Sequence, residues 1–142
     1  MKSFFICFFL FSFPFILSSE SEKITIDNLT IFKNPTELPR NFLSSFIPDH
    51  SQILFNSDFK KFGYESIETS VIFETKLTTD ELNQYYELLL KTLDWKILQF
   101  EKKEGKSIFL AEKRLREVVS IIFIQKEKFS LVKIFIKKQS NY

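Results

Sequence analysis

The residues able to do chemistry are few and stand apart from one another. The single histidine, His50, sits in Asp49-His50-Ser51, which holds the three residue types of a hydrolase triad. Such a triad is assembled in space around a nucleophile and a separate oxyanion hole, so adjacency in sequence does not make one. His50 is therefore expected as an exposed or loop-capping residue. A metal centre needs several converging ligands, yet no second histidine exists and the only cysteine, Cys7, lies in an apolar N-terminal run. Only two glycines are present, Gly63 and Gly105, which excludes Gly-rich phosphate loops and nucleophile elbows. No catalytic, cofactor-binding or metal residue is assigned, and the chain is read as a non-enzyme.

Asp80 and Glu81 are adjacent carboxylates, but their setting is Leu77-Thr78-Thr79-Asp80-Glu81-Leu82. That is a capping box, with Thr78 as N-cap and Glu81 at the third helical position, and Leu77 and Leu82 placed as a hydrophobic staple. Acidic groups in a first turn complement the helix dipole. Leu82, Tyr85, Tyr86, Leu89 and Leu93 then fall on one stripe, and the spacing predicts a helix over 79–93. Lys102-Lys103-Glu104 and Lys126-Glu127-Lys128 read as solvated turn tips. Tyr85, Tyr86 and Trp95 pack in the core by default, with the wall of a ligand groove as the alternative.

The elements that must position these groups are mostly strands. Alternation over 67–76 puts Ile67, Thr69, Val71 and Phe73 on one face. Gln52–Asn56 is a candidate strand, followed by a turn over 57–63. After the helix come segments 95–102, 107–113, 117–125 and 129–138, whose short connections imply an antiparallel meander. The expected fold is α+β, an antiparallel sheet of about five to six strands with one helix across one face.

One helix covers one face, so the other should alternate to polar residues. It does not. Val118, Ile122 and Ile124 oppose Val119, Ile121 and Phe123, while Val132, Ile134 and Ile136 oppose Phe129, Leu131 and Phe135. Lys133 and Lys137 share a phase with Leu131 and Phe135, a mixture suited to a rim. Contiguous exposed apolar surface beyond a few hundred Å² is rare on soluble monomers. Three covers suggest themselves: the segment from Ile24 to Phe46, a protein partner or second copy, or an apolar ligand such as a lipid. Tyr85, Tyr86, Trp95, Phe129, Leu131, Lys133 and Phe135 are the candidate partner or ligand surface.

The chain opens on MKSFFICFFLFSFPFILSSES. Lys2, an apolar run from Phe4 to Leu17 and Ser19-Glu20-Ser21 read as a cleavable export signal over 1–21. At about 1.5 Å per residue the run is short of a bilayer's hydrocarbon core, so membrane contact is expected only if the signal stays uncleaved. Removing it takes away Cys7, leaves 12 of the 19 phenylalanines, and keeps the net charge at +2, since Lys2 and Glu20 cancel. A periplasmic or extracellular protein without disulfides must rest on its apolar core. Balanced, mixed charge argues against nucleic acid. Residues 22–51, punctuated by Pro35, Pro39 and Pro48, read as an irregular segment packing on a domain at 52–138, with 24–31 as a candidate edge strand. Asn28-Leu29-Thr30 is a sequon.

From about Leu38 to Lys137 the chain resembles small exported α+β domains of bacterial envelope proteins. The residues carrying this are Ile47-Pro48, Val71-Ile72-Phe73-Glu74-Thr75, Leu77 to Leu82, Tyr85-Tyr86 and Leu93-Asp94-Trp95. Such domains often place Gly before the tryptophan, where this chain has Asp94. The resemblance implies a fold and a compartment and transfers no active site. The expected role is an exported binding or interaction module; the alternative is a carrier of a small apolar ligand.

Overall fold

The computed structural model describes residues 20–61, 66–114 and 116–139; the expected export signal lies largely outside them, and so does most of the expected 57–63 turn's far end. Eight strands and one α-helix form an α+β fold: β1 (Glu22–Ile26), β2 (Leu29–Lys33), β3 (Gln52–Lys60), β4 (Ser66–Thr75), α1 (Thr79–Thr92), β5 (Lys96–Lys103), β6 (Lys106–Lys113), β7 (Glu117–Gln125) and β8 (Ser130–Lys138), with a 3-10 turn at Ser44–Phe46. All strands join one antiparallel sheet in the order β1-β2-β3-β4-β8-β7-β6-β5. The helix carries the chain from β4, in the middle, to β5 at one edge.

The sheet is wider than the five to six strands expected. Residues 22–33, read as irregular apart from one candidate edge strand over 24–31, form the two-stranded β1–β2 hairpin, and Leu29–Lys33 pairs with β3. Its turn is Asp27-Asn28, with Asp27 at φ 49°, a conformation that Asp and Asn tolerate. Strand β3 also runs on to Lys60, because β2 gives the 57–60 stretch a partner. The hairpin widens the sheet rather than crossing it.

The capping box forms as the spacing required. The Glu81 amide donates to Thr78 Oγ1 at 3.3 Å and the Thr78 amide to Glu81 Oε2 at 2.7 Å. The Thr78 amide and, at 2.9 Å, the Thr78 hydroxyl both donate to the Glu81 carboxylate and hold its pKa below the ordinary value. At the other end, the Trp95 amide donates to the Leu90 carbonyl at 2.8 Å and the Asp94 amide to that of Lys91 at 3.2 Å. With Asp94 at φ 58°, this is a Schellman closure, in which the left-handed position is usually glycine. Asp94 fills that position here at a conformational cost.

Leu82, Tyr86 and Leu90 of α1 are fully buried against Val71, Phe73, Phe109, Val119, Ile121, Phe123 and Val132. Phe42 and Phe46 join this same side, Phe46 meeting Trp95 edge-on at 6.2 Å between ring centres. The segment proposed as a cover for the second face thus packs beside α1 on the first. Gly105, in the β5–β6 turn, is favoured by its φ of +67° and not by lack of space, since an added Cβ would meet only Gln125 at an ordinary 3.8 Å.

Candidate docking face

Opposed residues in an antiparallel pair point to the same side, so the register identifies the second face. One row across the sheet reads Lys33, Phe55, Ile72, Lys133, Ile122, Ile108. The next reads Ile24, Ile31, Ser57, Ser70, Phe135, Ser120, Leu110. Glu74, Leu131, Ile124 and Lys106 form a third. Phe55, Phe59 and Phe135 are 40%, 37% and 41% exposed. Among the described residues, α1 and the 3-10 turn both lie on the opposite side, and no helix or loop crosses this one.

The face is apolar at its centre and ionic towards its edges. Cross-strand pairs Glu22–Lys33 (3.6 Å), Glu68–Lys137 (2.7 Å) and Glu112–Lys96 (3.5 Å) stand in register on it. Exposed pairs of this kind contribute little to stability. They limit how far the apolar patch extends. Ser57 and Ser70 hydrogen-bond to each other at 2.6 Å, satisfying the polar groups between the phenylalanines.

Lys133 is the exception. It is exposed, stands between Ile72 and Ile122, and has no ion pair or hydrogen bond among the described residues. A lone cation on an apolar sheet face resists indiscriminate face-to-face association. It also selects for an occupant that supplies an anion.

The sequence-derived candidates divide between the two sides of the sheet. Leu131, Lys133 and Phe135 are on the open face, and Phe129 is half-buried in the 126–129 turn, its carbonyl accepting from the Lys126 amide at 2.8 Å. Tyr85, Tyr86 and Trp95 are on the other side. The Tyr86 hydroxyl donates to the Phe46 carbonyl at 3.0 Å and that of Tyr85 to the Ser45 carbonyl at 2.6 Å. The two tyrosines latch the 3-10 turn onto α1, with their rings edge-on at 5.2 Å. Burial pushes the Tyr86 hydroxyl's pKa well above its ordinary value. Because a sheet separates the two groups, they do not line one ligand cavity.

The remaining chemistry-bearing residues take structural places. His50 is exposed at φ 61°, in a turn where the Ser51 hydroxyl donates to the Pro48 carbonyl at 2.7 Å. Asp80 pairs with Lys102 at 2.7 Å, both exposed. No group of three or more His, Cys, Asp or Glu residues able to hold a metal occurs among the described residues. Sequence reasoning missed Phe55, Phe59 and Ile72 as open-face residues. Their signal was the alternation of 53–59 against the phase of 67–75, hidden by a register shift between Ile53 and Phe55.

No family model matches the chain, and no curated protein matches it. Among solved structures it is similar to the Saccharomyces cerevisiae Ran-binding protein Mog1p at 12% identity, over 85% of this chain and 78% of that one, with a TM-score of 0.42. At that level neither fold nor function transfers.

Proposed function

We propose that the protein is an exported, non-enzymatic interaction module whose open sheet face receives a protein partner. The observation that supports this is the row Phe55, Ile72, Lys133, Ile122, which no described residue covers and whose central lysine has no ion pair or hydrogen bond among the described residues. The partner presents an apolar surface with a carboxylate opposite Lys133. A second copy fits less well, since a two-fold axis through this row would bring like charges together. Export rests on the reading of residues 1–21 and on the resemblance to envelope domains; no helix among the described residues is long and apolar enough to cross a membrane.

Hydroxyl-radical footprinting tests the face. Phe55 and Phe135 should be protected in the native compartment and reactive in the purified chain, whereas Leu88, on the outer side of α1, should react equally in both. Equal reactivity of the two phenylalanines in both settings would remove the proposal. Sequencing the N-terminus of the secreted protein should find residue 22 first.

A further inference from the structure

On the helix side of the sheet, α1 packs over β5, β6 and β7 and leaves the same side of β1–β3 to the connector 34–40. A cavity of about 300 Å³ lies there, between those three strands and that connector. Its volume is at the low end for small-molecule sites, about 300–1,000 Å³.

Its chemistry differs from the core beside it. Where β4 and β8 place Val71, Phe73 and Ile134 on this side, β3 places Asn56 and Asp58, 2% and 8% exposed. Burying such groups is costly unless they are partnered. Asn56 Nδ2 donates to the Glu37 carbonyl at 2.9 Å, which settles which amide atom is oxygen. Among the described residues its Oδ1 accepts no hydrogen bond, and it is closed off from solvent. Asp58 accepts from the Thr69 hydroxyl at 3.2 Å and lies 3.6 Å from Lys60 Nζ.

The mouth carries mixed charge with cations in excess: Lys23, Arg40 and Lys60 line it beside the exposed Glu37. Lys23 lies over the Phe32 ring at 5.7 Å, and Arg40 has no ion pair or hydrogen bond among the described residues. The cavity therefore has buried acceptors at its floor, an aromatic ring on its wall, and cations at its rim.

We infer that this cavity is a binding site for a small zwitterion, an amino acid or the end of a short peptide. The ligand's ammonium group donates to Asp58 and Asn56, and its carboxylate meets Arg40 and Lys23. Because Oδ1 is closed off, engaging it shifts the connector that Asn56 holds through Glu37. The site faces away from the open sheet face, so it stands or falls independently of the docking proposal.

The test is an NMR titration of the isotope-labelled chain with L-glutamate, alongside N-acetyl-L-glutamate and sodium acetate. Glutamate should shift amides of residues 23, 30–40 and 56–60, including Glu37 and Leu38. N-acetylation and Arg40→Gln should each weaken binding about tenfold, the effect of losing one charge-assisted contact. Arg40 is exposed, so its replacement leaves the fold intact, and the unliganded spectrum checks this. No shifts with glutamate, shifts indifferent to Arg40→Gln, or equal shifts with acetate (an adventitious ion only) would each overturn the inference.

Discussion

Ile72 of β4 and Lys133 of β8 are direct cross-strand partners on the sheet face that no helix among the described residues covers. A lysine in that position interrupts an apolar row that would otherwise run unbroken from Phe55 to Ile108. Replacing it by isoleucine completes the row. Lys133→Ile should convert a monomer into a concentration-dependent associating species in sedimentation velocity, while Lys133→Arg stays monomeric. A monomeric Lys133→Ile variant would show that the face is too ruffled to associate.

The bond from Tyr86 to the Phe46 carbonyl joins groups 40 residues apart inside the core. Tyr86→Phe leaves that carbonyl without its donor and should cost about 1–3 kcal/mol in chemical denaturation. Tyr85→Phe, at a partly exposed site, should cost less.

Tyr86 also sets an alkaline limit. Its folded-state pKa is raised well above the ordinary value, mainly by burial. The stability this contributes is fully present below the unfolded value of about 10, and is lost as pH rises above it, because the unfolded chain ionises first. Stability measured from pH 9 upward should fall more steeply for the native chain than for Tyr86→Phe. Parallel curves would contradict the assignment.

Much of this architecture was legible in the sequence. Thr78 and Glu81 announced the helix because a capping box is a local motif. The phases of β7 and β8 predicted two apolar faces because alternation needs no tertiary information. The β1–β2 hairpin was not legible: Ile24, Ile26 and Ile31 alternate, but Pro35 and Pro39 follow closely and nothing local shows that β3 offers an edge. Nor could the sequence separate Tyr85, Tyr86 and Trp95 from Lys133 and Phe135. Which side of the sheet α1 occupies is a tertiary choice.

Asp94 closes α1 in a left-handed conformation, at φ 58°, that costs a non-glycine residue about 1–2 kcal/mol. Asp94→Gly should therefore raise stability by about 1 kcal/mol, the gain in strain offset in part by the freer unfolded chain. Thermal unfolding checks it, and a lowered midpoint would mean the Asp94 side chain has a stabilising role of its own.

Phe46 is fully buried against Trp95 and Phe42. Phe46→Ala should cost about 3–5 kcal/mol and speed hydrogen exchange through the 3-10 turn, while the β7–β8 ladder stays protected. Uniform loss of protection would show that the turn and the sheet open as one unit.

On the proposed function, the open face receives a protein partner through Lys133. Photo-crosslinking reads this directly, with a benzophenone amino acid at position 135 on that face and, as a control, at position 88 on the outside of α1, in the full chain in its native compartment. A discrete protein adduct should form from position 135 alone, be retained in Lys133→Arg and be lost in Lys133→Glu. The proposed function is contradicted by an adduct of two copies of this chain, by a crosslink to its own N-terminal segment, by lipid adducts only, or by a protein adduct indifferent to the charge at 133.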